Sequence, residues 1–228
     1  MELSSPLRST FLFPYSPRLD RLKGMWKDVS DTHDPPTFFE SAAMSFTLRD
    51  ATLADIPVIT DIYSESVRNG VATYEIAVPD QSEMTTRFST ITGNSYPYII
   101  AVDGDGIVIG YAYASAFRTR SAYRFLVEDS IYLAPEARGR GVGKALLQEL
   151  IARCTDLGFR QMVAVIGGAH PASIAVHRST GFVDSGTMKG SGFKFGRWLD
   201  TTFMQLALGE GLETAPAEGV YPDTLYGA

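Results

Sequence analysis

Residues 127–143 read VEDSIYLAPEARGRGVG, and their types and spacing could do chemistry. An apolar run of strand type, Ser130-Ile131-Tyr132-Leu133, is stopped at Pro135. A basic, glycine-rich turn follows, Arg138-Gly139-Arg140-Gly141-Val142-Gly143. Residues 144–157, KALLQELIARCTDL, then set Ala145, Leu146, Leu150, Ile151 and Cys154 at helical spacing. A strand, a glycine turn and a helix start make a seat for a phosphate. The first N–H groups of a helix have no partner within it, the helix dipole adds partial positive charge there, and glycines let the backbone approach an anion closely. Glu128 is a charge inside an apolar strand, where a charge has a partner or a task. Asp129 follows it and points to the opposite face, so only one of the two can serve a given cleft. Upstream, Arg118 and Arg120 lie on a polar loop. A guanidinium can grip a carboxylate with two parallel hydrogen bonds, although on chemistry alone two solvated loop arginines read as well.

Two other phosphate loops fit less well. A Walker loop needs Gly-Lys-Ser/Thr, and Gly143-Lys144 is followed by Ala145. A dinucleotide fingerprint needs G-x-G-x-x-G, whereas Gly139, Gly141 and Gly143 alternate. The chain of 228 residues is long enough for one buried domain with a tail or two. No apolar run approaches the roughly 20 residues of a membrane helix. A net charge of −6 gives no bulk reason to expect nucleic acid or an anionic membrane as partner, yet a local basic patch can hold a polyanion. The single Cys154 cannot form an intramolecular disulfide and reads as a small buried hydrophobe in a reducing compartment.

The elements that must position these residues follow in order. Residues 1–43 carry five prolines and no sustained period, and read as a disordered leader or a mis-called start, with Met44 as an alternative initiator. The sequence predicts a strand over 45–50 and a helix from Asp55, with Thr52 or Asp55 as cap and Ile56, Ile59, Ile62, Tyr63 and Val67 as its apolar face. A loop over 69–79 leads to a second helix over 82–92. Strands over 96–102 and 108–115 flank the turn Asp103-Gly104-Asp105-Gly106. A polar loop precedes the central strand, 125–133. After the helix come a buried parallel strand over 159–166, a short helix over 172–179, a strand over 182–187, a glycine-rich turn over 189–197 and a last strand over 198–208. From Gly209 the chain turns to glycine, proline and acid and reads as a flexible tail, 209–228.

Arg138-x-x-Gly141-x-Gly143 resembles the acetyl-CoA pyrophosphate loop of the GNAT superfamily of N-acetyltransferases. Five further blocks resemble its phosphinothricin and methionine sulfone branch. They are Phe117-Arg118-x-Arg120-x-Ala122-Tyr123-Arg124, Val127-Glu128-x-Ser130, Val165-Ile166-Gly167, His177-x-x-x-Gly181-Phe182 and Gly192-Phe193-Lys194-x-Gly196-x-Trp198-x-Asp200. The resemblance spans about residues 45–208. It implies the α/β (α+β) GNAT fold over 44–208, a mixed central sheet flanked by helices in the order β-α-α-β-β-β-α-β-α-β-β. It also implies transfer of acetyl from acetyl-CoA to the α-amino group of a small amino acid such as methionine sulfone, methionine sulfoximine or phosphinothricin.

The resemblance assigns roles residue by residue. Glu128 matches the catalytic glutamate, the base that a protonated amine needs. His177 stands where related enzymes carry a tyrosine acid near the sulfur. Ile131, Tyr132 and Leu133 would meet the pantetheine arm, residues Arg138, Gly139, Arg140, Gly141, Val142, Gly143 and Lys144 the pyrophosphate, and Ser173 another part of the co-substrate. His170 replaces an asparagine of the pattern, which leaves that contact open. Arg118 and Arg120 would hold the acceptor's carboxylate. Tyr74, Phe193 and Lys194, with Glu75 and Trp198 as weaker candidates, would line its pocket. No metal is implied. A direct transfer is expected, because no activated nucleophile is visible. The family habit is a homodimer, and the location expected is the cytoplasm. Two rivals remain open at this point: a GNAT enzyme for another small amine, and a non-catalytic acetyl-CoA-binding domain.

Overall fold

The computed structural model describes residues 45–226; the expectation of a leader over 1–43 falls outside them. The elements are β1 (Phe46–Asp50), α1 (Ile56–Asn69), α2 (Gln81–Gly93), β2 (Tyr98–Asp103), β3 (Val108–Ala116), β4 (Leu126–Leu133), α3 (Val142–Asp156), β5 (Gln161–Gly167), α4 (Pro171–Ser179), β6 (Val183–Lys194) and β7 (Arg197–Ala207). Their order is the expected one. All seven strands form one sheet, β1-β2-β3-β4-β5-β7-β6. The β4–β5 pairing is parallel and the others are antiparallel.

Strand alternation gives the sheet two apolar faces. One receives Ile56, Ile59, Ile62, Tyr63 and Val67 of α1 with Met84 and Phe88 of α2, packed on Tyr98, Ile100, Tyr111 and Tyr132. The other receives Val142, Leu146, Leu147, Leu150 and Cys154 of α3, packed on Ile99, Ala112, Val127, Met162 and Ile166. The entry to α1 is fixed by Asp55, whose carboxylate accepts from both terminal nitrogens of Arg49, at 2.9 and 2.8 Å, and from Thr52 N and Oγ1. The Arg49 hydrogen bonds lead in holding the Asp55 carboxyl down at about 2, and those from Thr52 add to them against the cost of burial. Asp80 caps α2 by accepting from Glu83 N at 2.8 Å.

Two expectations are corrected. Residues 189–194 are strand, not turn: β6 runs on to Lys194, with irregularities between Asp184 and Gly186 and between Met188 and Gly192, and the reversal is confined to Phe195 and Gly196. Glycines that read as a turn are instead accommodated where the strand bulges and loses register. The stretch 209–226 is not loose against the domain. Tyr221 packs edge-on against Phe159, Leu225 is buried, and Asp223 holds Arg124 at 2.7 and 2.8 Å. Arg160 adds bonds to Thr214 Oγ1 and the Ala215 carbonyl.

Candidate active site

The site begins where two parallel strands separate. β4 and β5 pair over four rungs, from Leu126 opposite Gln161 to Asp129 opposite Ala164. Beyond that, β5 stays with β7 as far as Gly167, while Ser130 to Leu133 stay with β3. The β5-facing edge of Ile131, Tyr132 and Leu133 is therefore free of strand partners. Backbone donors and acceptors on such an edge suit an extended chain bearing amides. The Tyr132 ring turns elsewhere, into a bank with Tyr63 at 4.9 Å and Tyr111 at 5.3 Å, so its backbone alone serves that edge.

The glycine turn closes the end of this opening. A turn of 3-10 helix over Pro135–Ala137 leads into it, and α3 starts at Val142 with Gly141 as its N-cap. Gly141 has φ 82, a left-handed conformation that a side chain disfavours. The first in-helix bond runs from Ala145 N to the Gly141 carbonyl, which leaves the N–H groups of Val142, Gly143 and Lys144 outside the helical ladder. Arg140 and Lys144 are exposed and form no ion pair among the described residues. Arg138 differs from expectation. Its guanidinium bonds Glu65 of α1 and the Leu133 carbonyl, which braces the turn against α1. The remaining donor set, a helix N-terminus with two free cations beside a free strand edge, fits a pyrophosphate joined to an amide chain.

Glu128 lies one rung before the strands part, opposite Ser115 of β3 and Val163 of β5, on the α1/α2 face. Burial pushes its carboxyl up to about 7, the negative charge of Asp129 adds to this, and Arg118 opposes it. A carboxylate at that value is matched to proton transfer near neutrality. Arg118 and Arg120 are exposed on the β3–β4 loop. Arg118 stacks over Phe117 at 4.5 Å, and neither arginine is ion-paired among the described residues. Arg118 is close enough to Glu128 for its charge to oppose the rise of that carboxyl, and Arg120 lies two positions along the same exposed loop. Tyr113, which sequence reasoning passed over, stands opposite Ser130 on the same face as Glu128. The alternation of Tyr111 and Tyr113 along β3 was the signal for it.

Other expected site residues are engaged elsewhere. His177 is buried on the opposite side of the sheet: its Nδ1 lies 2.7 Å from the Ser173 carbonyl and its Nε2 2.9 Å from Asp129 Oδ2. Both ring nitrogens are occupied, so the acid role expected of His177 has no free atom to serve it. Ser173 faces the same ring, with Oγ 3.4 Å from Nδ1. The Tyr74 hydroxyl bonds the Asp200 carbonyl and Thr201 Oγ1, each at 2.9 Å, and accepts from Gly168 N at 3.1 Å. Tyr74 is thus a clasp between the α1–α2 loop and β5, β6 and β7. Lys194 is buried, and Nζ donates to the Gly70 and Thr73 carbonyls at 2.9 Å each, closing that same loop. Its burial lowers its pKa, a shift that Glu75 opposes. Glu75 itself pairs with Arg87. Phe193 is 55% exposed, edge-on to Trp198 at 5.1 Å. His170 stands exposed at the N-cap of α4. Cys154 is wholly buried and its thiol is pushed up to about 12, first by burial and then by the Asp129 charge, which removes it as a nucleophile near neutral pH. Among the described residues no cluster of His, Cys, Asp and Glu could hold a metal, and no helix is long and apolar enough to cross a membrane.

A family model described as the acetyltransferase (GNAT) family matches residues 59–182. The chain is 46% identical over 178 residues to a phosphinothricin N-acetyltransferase of Alcaligenes faecalis, over 78% of this chain and 90% of that relative. It is 43% identical over 165 residues to an L-methionine sulfoximine/L-methionine sulfone acetyltransferase of Pseudomonas aeruginosa, over 72% of this chain and 96% of the other. Among solved structures, a GNAT phosphinothricin acetyltransferase from Sinorhizobium meliloti in complex with acetyl-CoA is 70% identical with a TM-score of 0.80, covering 81% of this chain and 100% of that one.

Proposed function

The chain belongs to the GNAT acetyltransferase family, and we propose that it acetylates the α-amino group of small amino acids of the methionine sulfone, methionine sulfoximine and phosphinothricin type. The observation that carries this reading is Glu128, a half-buried carboxyl with a pKa near 7 that feels the charge of Arg118 and lies one rung from the opening between β4 and β5. The relatives named above act on these same acceptors. Acetyl-CoA is the co-substrate. Its pantetheine would run along the free edge of Ile131 to Leu133, and its pyrophosphate would meet the α3 N-terminus, Arg140 and Lys144.

The acceptor arrives as an ammonium, held at its carboxylate by Arg118 and Arg120. Glu128 takes a proton from it. The amine nitrogen then bonds to the thioester carbonyl carbon, the carbon–sulfur bond breaks, the sulfur leaves with the electron pair, and the second proton that the nitrogen sheds to become an amide ends on that thiolate. No protein side chain is acylated, in keeping with the buried, protonated Cys154. We place the enzyme in the cytoplasm, where a lone thiol stays reduced, as a homodimer. The β6–β7 turn, where Phe193, Phe195 and Trp198 each expose more than half their area, supplies an apolar surface for a second copy.

The test is thiol release from acetyl-CoA with L-methionine sulfone, L-methionine sulfoximine and L-phosphinothricin, with a polyamine and a peptide as controls. The three amino acids should turn over, and Glu128→Gln should lose about 10²- to 10⁴-fold in kcat. Turnover on the controls alone would remove the acceptor class, and full activity of the variant would remove the base. Sedimentation of the full chain reads the dimer.

A further inference from the structure

Two acids stand side by side on β4 and back to back across the sheet. Glu128 faces α1 and α2. Asp129 faces α3 and α4, on the last rung that β4 shares with β5. The Asp129 side chain is 3% exposed and the His177 side chain 5%, so their contact is out of water. The Ser173 carbonyl can only accept, so the Nδ1 that lies 2.7 Å from it carries a proton. A second proton is then held between Nε2 and Asp129 Oδ2 at 2.9 Å. Burial alone would lower the His177 pKa, but the hydrogen bond and charge of Asp129 prevail and raise it. The other oxygen of Asp129, Oδ1, is buried with no hydrogen-bond partner among the described residues. An ion pair removed from water, with one oxygen left unsatisfied, adds little stability over apolar side chains of the same size. Its place at the parting of β4 and β5, directly behind Glu128, gives it a different use.

We propose that Asp129 is a positioning residue for acetyl transfer: anchored by His177, it holds a negative charge behind Glu128 that keeps this carboxylate basic enough to accept a proton from an ammonium group. The proposal rests on the reading of Glu128 as the base. Like charges in a region of low dielectric each disfavour ionisation of the other. Asp129 acts on Glu128 through one peptide unit of a rigid strand, so its distance is fixed by covalent geometry. His177 lies on the far side of Asp129 and cancels its field only in part. The other ionisable groups that bear on Glu128 are Arg118 from the β3–β4 loop and Tyr113 from β3; none from α1, α2 or β5 enters among the described residues. Arg118 pulls the other way, and Tyr113, raised to about 12, is neutral at working pH. Asp129 is thus the charged side chain that works with burial to set the base.

The experiment is the pH profile of kcat on the full chain, with L-methionine sulfone and acetyl-CoA both saturating, for wild type, Asp129→Asn and Glu128→Gln. Saturation keeps the ionisation of free acceptor out of the profile. Wild type should show an acid limb near pH 7. In Asp129→Asn the limb should move down by roughly one pH unit, and the plateau should fall several-fold because the base is weaker. Should that variant not fold, Asp129→Asn combined with His177→Gln, a neutral pair that can keep a hydrogen bond, carries the same expectation. A purely structural Asp129 would lower activity equally at every pH, and an unmoved limb overturns the proposal. Glu128→Gln separates the two ideas. Loss of its limb with no movement in Asp129→Asn sinks the proposal alone, whereas a limb like that of wild type in Glu128→Gln sinks the base and the proposal with it.

Discussion

Glu128 carries a cost that its chemistry requires. A carboxyl whose folded pKa is raised is favoured in its neutral form, so its stabilising share is whole below its ordinary value of 4.5 and is lost as pH rises through about 7. Glutamine does not titrate. The melting temperature of Glu128→Gln should therefore gain on wild type between pH 4.5 and 7, the gap levelling off above that; a gap independent of pH would show that the carboxyl is not strained in the fold. The same residue shows what a sequence can disclose about a site. The placement of Glu128, Arg118, Arg120 and the glycine turn was legible because it is local: a charge in an apolar strand, two guanidiniums on one exposed loop, a glycine before a helix. That of His177, Tyr74 and Lys194 was not. His177 meets an acid 48 positions away, the Tyr74 hydroxyl a carbonyl 126 positions away and Lys194 a carbonyl 124 positions away. The composition around each named a polar group in need of partners, and only the folded sheet decides which partners are nearest.

At the scale of elements, helices and central strands were readable from their periods, because each buries one face and the pattern repeats within it. β6 was read only as far as Thr187, since it is an exposed edge strand whose residues face solvent along most of its length. Its glycines have reasons that lie in other elements. A Cβ on Gly192 would stand 2.5 Å from Tyr74 Cε2 and 2.7 Å from Cδ2. That ring cannot withdraw, because its hydroxyl is held by Asp200, Thr201 and Gly168. Gly192→Ala should thus destabilise by about 1–3 kcal/mol, as overpacking does, measured by denaturant unfolding. In a Tyr74→Leu background the same alanine should cost much less, since the obstacle is gone. Equal costs in the two backgrounds would show that the glycine serves β6 alone. Tyr74 and Lys194 thereby hold the α1–α2 loop against β6, β7 and the end of β5, one of the two strands that part at the opening.

At the scale of the whole molecule, the stretch after β7 ties the far end of the sheet to the acceptor side. Tyr221 packs on Phe159 just before β5, Leu225 is buried in the same core, and the Tyr226 hydroxyl bonds that of Tyr96 at 3.0 Å. Burial of side chains of this size contributes about 1.5–3 kcal/mol each, so this segment belongs to the fold although its composition resembles that of a tail. Asp223 is its connection to the site. One of its oxygens takes both Nε and Nη2 of Arg124, and the other accepts from Gly219 N at 2.8 Å. Arg124 ends the loop that displays Arg118 and Arg120, and it also donates to the Ser121 carbonyl within that loop at 2.9 Å. The strap therefore restrains the two guanidiniums proposed to receive the acceptor's carboxylate, without touching the glycine turn at the start of α3. Asp223→Ala frees Arg124 and lets the loop sample more conformations, a fraction of which keep the arginines aligned. Steady-state kinetics should then show KM for the amino acid raised several-fold, with KM for acetyl-CoA unchanged and kcat at saturation nearly so. If both KM values rose together, the strap would be supporting the domain as a whole; if neither moved, the loop would hold its shape without it.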